Sequence, residues 1–183
     1  MKPYTTVSSK EIFKGRAVHL TVDRITLPNG ETTLREVVRN HDAAAILPID
    51  DDGTVYLVRQ YRHGVGRLVL EIPAGIIDEG EPPEVCAVRE LEEEIGMKAG
   101  ELTKLCEFQD AIGICSGRTY LYLARGLTEG TACPDHDEFI SVEKYPLELC
   151  EKMVLSGEIV DGKTILAIYA YKALGLHCEE VQK

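Results

Sequence analysis

Glu90, Glu92, Glu93 and Glu94 stand within one short run, with Arg89 immediately before them and Gly96 just after. Carboxylate oxygens are hard ligands, and Mg²⁺ is usually held by one or two of them together with phosphate oxygens of a substrate. Crowded carboxylates repel one another unless a cation is bound among them. Arg89 lies one helical turn before Glu93 and can pair with it. The chemistry on offer is therefore a divalent cation set against phosphate oxygens. Four glutamates on an ordinary surface helix would only be a solvated acidic face, so their surroundings decide.

Such residues converge only if the stretch is a helix. Pro82 and Pro83 open it, no breaker interrupts it before Ile95, and Gly96 marks its end. At about 100° per residue, Val85, Val88, Leu91 and Ile95 form one apolar stripe, with Glu90, Glu93 and Glu94 gathered opposite. LVLEIP (68–73) reads as a strand leading into this unit. Before it, AAAILPI (43–49) and TVYLVRQYR (54–62) read as buried strands joined by a turn at 51–53. After the helix, 101–110 and 118–124 read as strands around a loop at 111–117, and 140–145 as an edge strand. Helices follow over 146–155 and from Asp161 to Leu174. Near the start, Pro28-Asn29-Gly30 between two β-rich runs marks a hairpin, with Lys10 to Phe13 as a further short strand. An antiparallel element (1–42) thus precedes a main domain (43–183).

The helix sits inside a longer fixed pattern: Gly75, five residues, Glu81, seven residues, then Arg-Glu-Leu-x-Glu-Glu-x-Gly-Met. This resembles, at every fixed position, the Nudix box of the Nudix hydrolases. The resemblance implies an α+β fold, a Nudix α/β/α sandwich with a mixed sheet, to which the N-terminal antiparallel strands are added. It also implies hydrolysis of a nucleoside diphosphate linked to another group. Mg²⁺, with Mn²⁺ as a substitute, would be held by Glu90, Glu94 and the carbonyl of Ala74, joined by Glu138. Arg89 would orient the carboxylates, and Glu81 would be structural. The base stays open between Glu138, Glu93 and His136; an imidazole titrates near about 6.5 and suits proton transfer.

Val58-Arg59-Gln60-Tyr61-Arg62, Glu71-Ile72-Pro73-Ala74-Gly75 and the stretch 157–168 further resemble the ADP-ribose pyrophosphatase subgroup. That subgroup implies ADP-ribose as substrate, with AMP and ribose 5-phosphate as products. A GDP-mannose-type sugar, a modified nucleoside triphosphate, and a non-catalytic ligand-binding Nudix module are the alternatives. Asp135-His136-Asp137-Glu138 resembles the subgroup's acidic run. One departure stands out: the subgroup's loop proline is replaced by Ile112. In this subgroup the N-terminal sheet helps to build a homodimer. Gly162-Lys163-Thr164 is not a phosphate loop, because the required upstream glycine is absent.

Composition sets outer bounds. A chain of 183 residues with 44% hydrophobic and 28% charged content can bury a sizeable core. Its net charge of −11 argues against a broad grip on nucleic acid, though a bound cation inverts the local field for an anionic substrate. The six cysteines show no paired metal-ligand spacing and read as reduced thiols. Charged residues interrupt any early apolar run and no segment approaches a membrane span, so a cytoplasmic protein is expected.

Overall fold

A computed structural model describes residues 3–134, 136 and 138–175. The chain divides into two compact units, residues 1–42 with 109–118, and residues 43–108 with 119–183.

In the first unit, β1 (Thr5–Lys14), β2 (His19–Thr26) and β3 (Thr32–Val38) form an antiparallel sheet in that order. The hairpin at 28–30 is present: Gly30 has φ 92°, and Leu27 N–H donates to the Glu31 carbonyl at 2.7 Å. Only glycine takes that backbone conformation without strain. β1 is ten residues long, well beyond the expected Lys10 to Phe13, and every residue of it is exposed. Its missing apolar alternation is why the sequence shows so little of it. The loop at 109–118 belongs to this unit, since Val38 N–H donates to the Ile114 carbonyl and Arg118 N–H to Asp42.

The second unit holds two main sheets. One has the order β7 (Ala74–Ile76), β4 (Ala43–Pro48), β10 (Thr119–Arg125), β9 (Glu101–Phe108). Within it β4 and β10 run parallel and the other pairs antiparallel, so the sheet is mixed. The other sheet has the order β12 (Ser141–Pro146), β5 (Thr54–Arg62), β6 (Arg67–Glu71), all antiparallel. β8 (Met97–Lys98) and β11 (Thr128–Glu129) add a short ribbon. β4 and β5 follow one another closely but belong to different sheets, joined only by the Ile49–Val55 bridge. The chain crosses between the sheets again from β6 to β7, at Ile72-Pro73.

Strand alternation sends side chains to two cores. Ala45, Leu47, Val55, Leu57, Leu121 and Leu123 face α2 (Leu147–Ser156) and α3 (Gly162–Ala173), which contribute Cys150, Met153, Ala167, Ile168 and Tyr171. Ala44, Ile46, Tyr56, Val58, Tyr122 and Ala124 face α1 (Pro83–Ile95), which contributes Cys86, Ala87, Leu91 and Ile95. Strands covered on both faces explain why β4 and β5 read as unbroken apolar runs. Helices on both faces of the strands make this the expected α/β/α sandwich.

The helix α1 begins one residue after the expected Pro82, which caps it, and ends at Gly96 in the left-handed conformation (φ 69°). Its inner face differs from the expected stripe. Val85 and Val88 are 51% and 38% exposed, whereas Cys86 and Ala87 are buried beside Leu91 and Ile95. The helix is rotated so that the small residues approach the strands. That rotation carries Glu94 inward to 4% exposure. The carboxylates are therefore not opposite the core but on its border. Among the described residues no helix is long and apolar enough to cross a membrane.

Candidate active site

The site is built where the β6–β7 crossing meets α1. Gly75 lies on β7 directly against the Glu90 side chain, and a Cβ at this position would overlap the Glu90 carboxylate. A larger residue here would have to push the Glu90 carboxylate aside, so this close approach, rather than a special φ, favours glycine. One residue earlier, Ala74 N–H donates to Glu94 Oε2 at 3.1 Å. The loop thus grips the two innermost glutamates of α1 through a backbone donor and a missing side chain.

Arg89 organises the remaining acids. Its Nε and Nη2 donate to the two oxygens of Glu81 at 3.0 and 3.1 Å, and Nη1 bridges Glu90 at 2.6 Å and Glu93 at 2.9 Å. Nη2 also reaches the Ile76 carbonyl at 3.2 Å. Glu81 in turn accepts from Asp78 N–H at 3.0 Å, fastening the loop that precedes the helix. These bonds from Arg89 and the Asp78 amide hold the Glu81 carboxyl down at about 2. Behind the loop, burial pushes the Cys86 thiol up to about 12, so it is a packing group and not a nucleophile.

The two inner glutamates behave differently. Burial, then the charge of Glu90 and that of Glu138, pushes the Glu94 carboxyl up to about 8, against the opposing Ala74 hydrogen bond. Burial likewise raises Glu90, with Glu93 and Glu138 adding to it, although Arg89 works in the other direction. Glu138 is half-buried and close enough for its charge to act on both. His136 is exposed. Asp135 and Asp137, the other members of the expected acidic run, lie outside the described residues. Arg89 is bonded directly to Glu81, Glu90 and Glu93, Ala74 to Glu94, and Glu90 and Glu138 act on Glu94 through their charge.

Hard oxygen donors, Glu94 buried and Glu90 half-buried, both made reluctant to ionise by burial and by neighbouring carboxylates, form a set that suits Mg²⁺. Among the described residues no three carboxylate, imidazole or thiol side chains converge as a finished metal cage. Arg89 supplies the compensating positive charge instead.

A further set of buried charges escaped the sequence reading. Glu71, on β6, is held by Arg62 at 2.7 and 2.9 Å and by Lys163 at 2.5 Å. Burial works to raise its carboxyl, but the two cations outweigh that and keep it low. Arg62, Glu71 and the stretch 157–168 stood in the runs that resemble the subgroup, but their pairing is too distant in sequence to read by pattern.

A three-layer sandwich with a glycine-gripped carboxylate helix at its edge defines a Nudix-type hydrolase site. The Nudix domain pattern matches residues 39–163, and the chain belongs to the Nudix family. It is 39% identical over 165 residues to the ADP-ribose pyrophosphatase of Bacillus subtilis (strain 168), a match covering 89% of each chain. It is 38% identical over 165 residues to the methanol dehydrogenase activator of Bacillus methanolicus, again covering 89% of each. A crystal structure of an ADP compounds hydrolase shares the fold, with a TM-score of 0.84 and 22% identity over 95% of both chains.

Proposed function

We propose that this Nudix hydrolase cleaves the pyrophosphate bond of a nucleoside diphosphate sugar, with ADP-ribose as substrate and AMP and ribose 5-phosphate as products. The observation that carries the reading is the Glu90–Glu94 pair gripped by Ala74 and Gly75. Carboxyls raised by burial and by neighbouring carboxylates support a site that a divalent cation and a phosphate-rich ligand would complete. The similarity to an ADP-ribose pyrophosphatase along nearly the whole chain supports the substrate class.

Glu90, Glu94 and the Ala74 carbonyl would hold Mg²⁺, with Glu138 as a further ligand and Mn²⁺ as a substitute. When bound, the metal neutralises diphosphate oxygens and lowers the barrier to attack at phosphorus. The chain's own residues do the rest. Arg89 keeps the carboxylates of Glu90 and Glu93 in register, and Glu81 fixes the Arg89 side chain. Glu138 ranks first as acceptor of the proton from the attacking water, ahead of Glu93 and then His136. Glu93 is the more exposed of the helix glutamates bound by Arg89, and can be approached from solvent. The burial of Glu94 would keep bulk water from competing for the cation its carboxylate holds.

The N-terminal sheet supports a homodimer. Val7, Ile12 and Phe13 are each about half exposed on β1 in the single chain, and an uncovered apolar edge strand invites a second copy.

A panel assay with Mg²⁺ tests the substrate, comparing ADP-ribose, GDP-mannose, other nucleotide sugars and 8-oxo-dGTP by product release. ADP-ribose is expected to lead in kcat/KM by tenfold or more. A different leading substrate overturns the choice of sugar, and silence across the panel overturns the diphosphate-sugar reading.

A further inference from the structure

The Ile72-Pro73 crossing leaves backbone that neither sheet can satisfy. Pro73 has no N–H, and Ile72 lies beyond the end of β6, so its N–H has no ladder partner. A buried amide left unpaired there would destabilise the crossing. The gap is filled from α3: Ile72 N–H donates to Thr164 Oγ1 at 2.8 Å.

The direction of that bond is locked. A threonine hydroxyl carries one hydrogen. That hydrogen is committed to Asp161 Oδ2, at 2.6 Å, so the Thr164 oxygen must face Ile72 as an acceptor. Asp161 also caps α3 by accepting from Thr164 N–H at 3.0 Å. Lys163 ties the same turn to Glu71, at 2.5 Å, and to Asp161, at 3.0 Å. Pro73 is held on the far side, where its carbonyl accepts from Ile46 N–H of β4 at 3.0 Å. Thr164 is wholly buried and Glu71 is 3% exposed. Residues 71–73 are thus pinned by β5, β4 and α3. The next two residues are the ones that grip Glu94 and Glu90.

We propose that Lys163 and Thr164, which lie outside the Nudix box, are positioning residues that set the Ala74-Gly75 grip on Glu94 and Glu90 and so the affinity of the site for its divalent cation. The inference rests on the metal-dependent reading above and extends it to the first turn of α3. Removing the Thr164 hydroxyl frees Ile72 N–H and lets the crossing drift, while the box residues stay unchanged. Partners that orient metal ligands from behind typically alter affinity about 10–100-fold when lost.

The test is Mn²⁺ binding without substrate, followed by the paramagnetic resonance of free Mn²⁺, in wild type, Thr164→Val, Thr164→Ser and Lys163→Gln. Amide hydrogen exchange at Ile72 and Ala74 is measured in the metal-free proteins. Thr164→Val is expected to weaken Mn²⁺ at least tenfold and to speed exchange at both amides. Thr164→Ser should return both to within about threefold of wild type. Lys163→Gln, which leaves the Thr164 bond in place, should give an intermediate loss and serves if Thr164→Val does not fold. Wild-type affinity and exchange in a folded Thr164→Val or Lys163→Gln protein overturn the positioning role alone. If the wild type binds Mn²⁺ yet cleaves no diphosphate sugar, the substrate reading falls while the positioning result stands. A wild type that binds no Mn²⁺ overturns both.

Discussion

Glu94 carries a charge problem that its burial, and then its carboxylate neighbours, create. With its carboxyl pushed up to about 8 from the ordinary 4.5, the metal-free folded protein keeps a proton that the unfolded chain has released. Folding therefore takes up a proton across that interval, and stability must fall as pH rises from about 4.5 to 8. Glu81, held at about 2, has the opposite sign, and its contribution is lost only as pH falls from about 4.5 to 2. Calorimetry in EDTA should show a Tm that declines between pH 5.5 and 8. Mg²⁺ should raise Tm most at pH 8, and Glu94→Gln should flatten the decline. A Tm that rises with pH in EDTA would contradict this account of the site. Gly75 offers a second residue-level check. Gly75→Ala forces a methyl into the Glu90 carboxylate, so Mg²⁺-dependent turnover should drop at least tenfold, read against Ala74→Gly as a control that keeps the amide donor.

At the scale of elements, α1 shows what a sequence reveals and what it hides. The Nudix spacing made Gly75, Glu81, Arg89, Glu90, Glu93 and Glu94 legible as one site, because a fixed pattern encodes a fixed geometry. The helix bounds followed from Pro82 and Gly96. Its rotation did not, since Val85 and Val88 are the larger apolar residues and draw the stripe toward themselves. The strands admit the small Cys86 and Ala87 instead, and the valines are left half exposed. This difference has a measurable consequence. Leu91→Ala empties a fully buried position and should cost about 2–5 kcal/mol in denaturant unfolding. Val88→Ala should cost less than Leu91→Ala, because Val88 is 38% exposed where Leu91 is fully buried. Equal losses would place Val88 in the core and reverse the reading. The α3 network was hidden for another reason: its pairs, Glu71 with Lys163 and Ile72 with Thr164, meet only through the tertiary fold.

For the whole molecule, the sandwich follows from strands buried on both faces, which the apolar runs at 43–49 and 54–62 already displayed. Assignment of those strands to two sheets was not legible, because adjacent strands joined by a short turn usually pair with each other. The length of β1 was hidden by its lack of alternation. An exposed ten-residue strand carrying Val7, Ile12 and Phe13 is the feature that a second copy would cover. Sedimentation should give a species of twice 20.3 kDa, and Val7→Lys with Ile12→Lys should convert it to the monomer. A monomeric wild type at micromolar concentration would leave β1 without that role.

The central claim is that the α1 carboxylates perform metal-dependent hydrolysis, and Glu94→Gln tests it most directly. The substitution keeps size and hydrogen-bonding capacity toward Ala74 N–H while removing the charge. A folded Glu94→Gln protein is expected to lose at least a hundredfold in Mg²⁺-dependent turnover of ADP-ribose relative to an active wild type. Turnover within threefold of wild type, at the same Mg²⁺ concentration, would contradict the account.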